Sequence, residues 1–187
     1  MDNGKFKKKC DKCGVNDVWV YEPGHHGIVF TGNSAANQCP SISNVRIFDA
    51  VNGAGIALDG SQYATVSNAH AIGGTYGIYI DAGNAVVTGS TFDLNTYGLY
   101  YNSVNGNDGH GVIVGCNFNH NTVEAIHIEP LTNGLDIRSS NMYYGDIRVI
   151  GGSGGGKPSL VRFVDSAIDV GALQLDGALV EFDSCVW

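Results

Sequence analysis

The sequence predicts an all-β chain wound as a single-stranded right-handed parallel β-helix, a solenoid of about seven coils with a period of about 23 residues. Three observations carry this. One short phrase (a turn-prone residue, a small residue, any residue, an apolar residue) recurs seven times. It runs from Asn44-Val45-Arg46-Ile47 through Gly89-Ser90-Thr91-Phe92 and Gly115-Cys116-Asn117-Phe118 to Asp183-Ser184-Cys185-Val186. Fixed periods of roughly 20–50 residues mark stacked repeats, because one unit cannot bury its apolar face alone. A second phrase, apolar at both ends around an outward residue, runs out of step with the first, so each coil draws at least two strands. Finally, 27 Gly and 17 Asn make 44 of 187 residues suited to the left-handed corners that such a chain needs.

Along the chain, residues 1–23 read as a polar attachment or capping segment and residues 24–187 as the β-helix domain. The second phrase appears as Gly55-Ile56-Ala57-Leu58, Gly77-Ile78-Tyr79-Ile80, Gly98-Leu99-Tyr100-Tyr101, Ala125-Ile126-His127-Ile128, Asp146-Ile147-Arg148-Val149 and Ala172-Leu173-Gln174-Leu175. Just before each first phrase lies a third β-rich column, from Tyr63-Ala64-Thr65-Val66 to Leu179-Val180-Glu181-Phe182, so three short strands make one coil. Stretches 102–108 and 151–156 lengthen two coils and read as projecting loops. Leucine-rich repeats share the period but need a Leu-x-x-Leu-x-Leu frame with a helical return, which is absent. The prediction is strict: Ile56, Ile78, Leu99 and Ile126 must form one internal file.

Charge is uneven. Lys5, Lys7, Lys8, Lys9 and Lys12 against Asp2 and Asp11 give the first twelve residues +3, and the rest, with 5 basic and 16 acidic side chains, carries −11. That body offers no basic stripe for nucleic acid. No stretch reaches the ~18–20 apolar residues of a membrane span, and the Lys-rich start has no apolar run of a signal peptide behind it. Of five cysteines, Cys116 and Cys185 fall three coils apart, roughly 14 Å, beyond the ~7 Å that a disulfide bridges, and read as reduced and half-buried. Cys10, Cys13 and Cys39, with His25 and His26 nearby, are weak zinc candidates because a convincing pattern has two Cys-x-x-Cys pairs. The reading is no metal and no cofactor.

Residues at matching phase pile into columns on one face. One outward column reads Ala57, Tyr79, Tyr100, His127, Arg148, Gln174, and the next reads Asp59, Asp81, Asn102, Glu129, Ile150, Asp176, with Tyr76 and Tyr97 on adjacent rungs just before. Tyr rings cover the apolar C–H faces of sugars while carboxylates read hydroxyls, so Tyr76, Tyr79, Asp81, Tyr97, Tyr100, His127 and Glu129 are the candidate glycan contacts. No catalytic residue is assigned. For a glycan-cleaving enzyme the carboxylates would be Asp59, Asp81 and Glu129. Asp59 and Asp81 fall about 5 Å apart and Asp81 and Glu129 about 10 Å, near glycosidase spacings that any acidic column would also give.

With phrases such as Gly77-Ile78-Tyr79-Ile80-Asp81 and Val87-Thr88-Gly89-Ser90-Thr91-Phe92, the chain resembles the pectin-lyase-like β-helix superfamily over roughly residues 24–187. It is most similar to the β-helical regions of bacteriophage tailspikes and tail fibres. That resemblance implies a non-enzymatic virion protein (tailspike, tail fibre or head-decoration protein) assembled as a homotrimer in the host cytoplasm. Its partners would be host surface polysaccharide and neighbouring virion proteins met through the N-terminal segment. The chain reaches Trp187 soon after the seventh phrase, which fits an end covered by another subunit or by more of the same rod. Polygalacturonases carry aspartates where this chain has Thr75-Tyr76 and Thr96-Tyr97. Their Gly-His-Gly is matched by Gly109-His110-Gly111, but 13 residues past Tyr97 and out of phase, so it reads as a turn. The alternatives are a polysaccharide depolymerase of this superfamily and a secreted bacterial adhesin.

Overall fold

The computed structural model describes residues 6–7, 14–32, 39–102, 110–131, 133–151 and 160–187. One sheet stacks β1 (Phe6–Lys7), β3 (Ile28–Thr31), β5 (Ala54–Gln62), β7 (Tyr76–Gly83), β10 (Tyr97–Asn102), β13 (Glu124–Ile128), β16 (Asp146–Ile150) and β19 (Leu173–Asp176). Facing it, a second sheet begins with β2 (Gly14–Tyr21), β4 (Ser41–Phe48) and β6 (Thr65–Ile72) and then forks. One arm is β8 (Ala85–Thr88), β11 (His110–Val114), β14 (Gly134–Arg138), β17 (Leu160–Val164) and β20 (Leu179–Asp183). The other is β9 (Thr91–Asp93), β12 (Asn117–Asn119), β15 (Asn141–Tyr143) and β18 (Ala167–Asp169). Every strand pairs in parallel with its counterpart one coil away, as in Leu99 with Ile78 and with Ile126. The result is a right-handed parallel β-helix of about six turns with a period of about 24 residues.

Alternation places one file inward and the next outward. Ile28, Ile56, Ile78, Leu99, Ile126 and Ile147 lie over one another, all fully buried, as the required internal file. Phe30, Leu58, Ile80, Tyr101, Ile128 and Val149 form a second. Each such side chain is worth about 1.5–3 kcal/mol of burial. At β19 the same files reach Leu173 and Leu175, which are 36% and 43% exposed.

The three-column reading holds for the later coils and changes in the early ones. β4 and β6 run through the kink as single strands of eight residues, with positive φ at Asn44 and Asn68. Asn44 Nδ2 donates to Asp17 Oδ1, and Asn68 Nδ2 donates to Asn44 Oδ1 at 3.1 Å, so side chains staple these corners together. From Gly89 onward the strand divides at this corner, at Gly89, Gly115, Ser139 and Asp165 alike, each with positive φ.

Two sequence boundaries move. β2 lies inside the segment 1–23 yet pairs with β4 over its whole length, with its own corner at Asp17, so rungs of the solenoid precede residue 24. In the last coil the positive φ falls on Ser184, and Ala167 pairs with Val186. The seventh phrase therefore starts one residue later than Asp183. Asp and Ser are both turn formers, so the pattern alone was ambiguous there by one position.

Two polar ladders run inside the coil. The small residue after the corner is Ser90, Cys116, Ser140 or Ser166, all buried. Ser140 Oγ accepts from Cys116 N at 3.2 Å and donates to Arg138 O at 2.8 Å, and Ser166 Oγ repeats this one rung on. At the next corner Asn95 and Asn121 are 1% exposed. Asn121 Oδ1 accepts from Asn95 N at 3.1 Å while its Nδ2 donates to Phe92 O at 3.1 Å. Each ladder supplies the partners that buried corner amides and carbonyls require. The Asn ladder also explains the glycine opening the second phrase: a Cβ on Gly98 would lie 2.6 Å from Asn121 Nδ2 and 2.5 Å from Ala125 O.

Candidate functional site

The outer face of the first sheet brings the sequence-predicted aromatics together. Tyr76 stacks on Tyr97 with centroids 5.3 Å apart, and beside them Tyr79, Tyr100 and His127 form a second pile, at 5.7 Å and then 4.2 Å. Edge-on contacts join the piles, Tyr76 to Tyr100 at 5.2 Å and Tyr97 to Tyr100 at 5.7 Å. Parallel strands in register force this, because each outward residue sits one rung from its counterpart. Each such ring pair adds about 0.5–1.5 kcal/mol beyond its buried area.

Polar groups lock the lower end. Tyr100 Oη donates to Glu129 Oε1 at 2.9 Å, and His127 Nε2 lies 3.0 Å from the same oxygen. His127 Nδ1 lies 2.5 Å from Glu124 Oε2, and both of those side chains are almost wholly buried. Asn102 Nδ2 donates to Tyr79 Oη at 3.2 Å. Burial pushes the Glu129 carboxyl up, but hydrogen bonds from His127 and Tyr100 and the charge of Arg148 outweigh it, so its pKa ends below the ordinary 4.5. Burial, then the Glu129 carboxylate, pushes the Tyr100 phenol far up. Tyr79 is raised by burial, with Asp81, Asp59 and Glu129 adding to the shift, which puts all three carboxylates in the field of one ring.

Stacking uses up ring faces. Tyr100 is covered by Tyr79 on one side and His127 on the other. Above Tyr79 the column continues with Ala57 and Val29, which are too short to cover it. The wall therefore steps down there into a cleft of about 340 Å³, lined by His26, Val29, Ala57, Asp59, Tyr76 and Tyr79. Tyr76 and Tyr79 meet in it at 58°, with centroids 5.6 Å apart.

Of the predicted contacts, Tyr76 and Tyr79 line this cleft, and Tyr97, Tyr100, His127 and Glu129 form the braced wall below it. Asp81 pairs in register with both Asp59 and Asn102 on the same face and is 6% exposed. Sequence reading missed Glu124, which holds His127 from beneath, although it occupies the Tyr76–Tyr97 file. His26, which the sequence placed only beside the zinc candidates, lines the cleft, and its Nδ1 accepts from Ala54 N at 2.9 Å.

Of the Gly-His-Gly triplet, Gly109 lies outside the described residues, and His110 and Gly111 open β11 rather than form a turn. Tyr101 Oη donates to His110 O at 2.7 Å, and a Cβ on Gly111 would lie 3.3 Å from that hydroxyl and 2.4 Å from Ala85 O. His110 instead lines a separate cleft of about 490 Å³ over β8, β11 and β14, on the other sheet from Asp59, Asp81 and Glu129. Cys116 is fully rather than half-buried, and burial pushes its thiol up to about 11. Cys10 and Cys13 lie outside the described residues, while Cys39 is exposed and free. Among the described residues no three His, Cys, Asp or Glu side chains cluster as metal ligands, and no helix is long and apolar enough to cross a membrane.

No curated protein and no solved structure matches the chain. One family model does, described as the right handed beta helix region, over residues 6–156. That span covers most of the sequence and most of the stacked rungs, and the protein belongs to the right-handed β-helix family.

Proposed function

We propose that this β-helix is a non-enzymatic glycan-contacting protein, of the sort that a phage tailspike or tail fibre presents to a host surface. The observation that supports it is the step in the aromatic wall. The upper face of Tyr79 and the neighbouring Tyr76 ring open on a cleft with Asp59 at its side, and the rings below hold Tyr79 in place. Apolar ring face beside hydrogen-bonding carboxylate is the recurring chemistry of sugar recognition. At about 340 Å³ the cleft lies near the lower end of the ~300–1,000 Å³ range of small-ligand sites, which leaves a small contact area for single-site affinity. A trimer would raise it through avidity.

The depolymerase alternative needs an acid that stays protonated at working pH. Glu129 does not fit that part, because hydrogen bonding with His127 and Tyr100 lowers its pKa, which suits only the ionised partner of such a pair. The virion setting, the homotrimer and the role of the first residues in attachment rest on the resemblance of the coil pattern. Binding to a glycan array that is lost in Tyr79→Ala with the fold retained supports the proposal, and an array with no signal refutes it. Native mass separates a trimeric virion component from a monomeric module, and loss of viscosity from a bound polysaccharide would turn the reading to the depolymerase.

A further inference from the structure

The charge around the cleft narrows the ligand. Asp59 lines it, and Asp81 and Glu129 stand close enough to act on the Tyr79 ring that forms its floor. None of the described residues that line it is Lys or Arg, and Lys7 pairs with Val29 one rung further along the same column. Arg148, two rungs beyond Tyr100 in that column, is engaged by Asp176 through its Nε at 3.2 Å and its Nη2 at 3.0 Å. His26 Nδ1 accepts from the Ala54 amide at 2.9 Å. Two tilted Tyr rings with a carboxylate at their side form a partial cage that favours a cation, through ring quadrupole and ion pairing together. A uronate carboxylate placed there would face the like charge of Asp59.

Resting on the glycan reading above, we infer that the cleft between Tyr76, Tyr79 and Asp59 takes the free ammonium group of an amino-sugar unit. The protein thus selects amine-bearing glycans over N-acetylated ones and rejects polyuronates. Nothing covalent is involved. The ammonium sits against the open ring faces, Asp59 accepts its hydrogen bonds, and the sugar C–H face packs on Tyr79.

Calorimetric titration of the full chain with a β-1,4-glucosamine tetramer, its fully N-acetylated counterpart and a tetragalacturonate tests this. The free-amine tetramer is expected to bind about tenfold tighter than the acetylated one, with no heat from the uronate. Asp59→Asn should erase the difference, lowering the affinity for the free-amine tetramer more than that for the acetylated one. If that variant does not fold, raising salt from about 50 mM to about 500 mM replaces it and should weaken only the free-amine tetramer. Equal affinities, or preference for the uronate, overturn amine selection and leave glycan binding standing. An inert response to all three tetramers, joined with a silent array, overturns the glycan reading itself.

Discussion

Two outer faces of this solenoid share one stacking geometry and behave differently. On the arm made by β9, β12 and β15 the outward file is Thr91, Asn117 and Asn141, and Asn141 Nδ2 donates to Asn117 Oδ1 at 2.7 Å. Short amides stacked one rung apart satisfy one another and leave little to offer a ligand. On the first sheet the same spacing carries Tyr79, Tyr100 and His127, whose faces also saturate one another until the column drops to Ala57. On such a rod an open ring face arises where a ladder stops, because there the last ring loses its neighbour.

Both faces rest on one core file, so the largest disturbance is Leu99→Ala. It should cost about 2–5 kcal/mol in urea unfolding and degrade both faces together, since Leu99 is fully buried between Ile78 and Ile126. Surface changes separate them. Tyr79→Ala should reduce glycan binding about tenfold while costing stability by only about 1–2 kcal/mol. Asn141→Ala should leave binding untouched and shift stability by about 0.5 kcal/mol or less. Equal effects of the two on binding would erase the distinction.

Acid sharpens it further. The folded pKa of Glu129 is lowered, so its ionised form stabilises the wall above about pH 4.5 and that contribution is lost as pH falls through the lower folded value. Glu129→Gln should flatten this acid limb of the unfolding curve, and Asn117→Ala should leave it unchanged. The smallest effect is chemical. With its thiol pushed up to about 11 and buried, Cys116 should resist alkylation at pH 8 in the folded protein, while exposed Cys39 reacts, as mass spectrometry would record.

Much of this was legible in the sequence, for a physical reason. Parallel in-register stacking converts a linear period directly into contact, so Ile56, Ile78, Leu99 and Ile126, and likewise Tyr79, Tyr100 and His127, are read from spacing alone. What the pattern hid depends on local conformation. The Ser184 corner turns on which of two turn formers takes positive φ. The Asn95–Asn121 ladder looked like ordinary turn composition, because nothing in the spacing says which amides point inward. The β2 rung escaped because its corner residue is Asp17 and its outward residues include the exposed Trp19 and Tyr21, which read as a polar lead-in with aromatics. The cleft itself is a property of a missing ring, and periodicity finds only what recurs.

The central claim is that coil-to-coil stacking builds the aromatic wall, and it is tested most directly by NMR contacts between residues 27 positions apart. With centroids 4.2 Å apart and planes 7° from parallel, the Tyr100 and His127 rings should show strong mutual nuclear Overhauser effects. The imidazole protons should also show an upfield ring-current shift that vanishes in Tyr100→Leu. Assigned rings with no such contact, and imidazole shifts unchanged by that substitution, would contradict the stacked wall and the cleft built upon it.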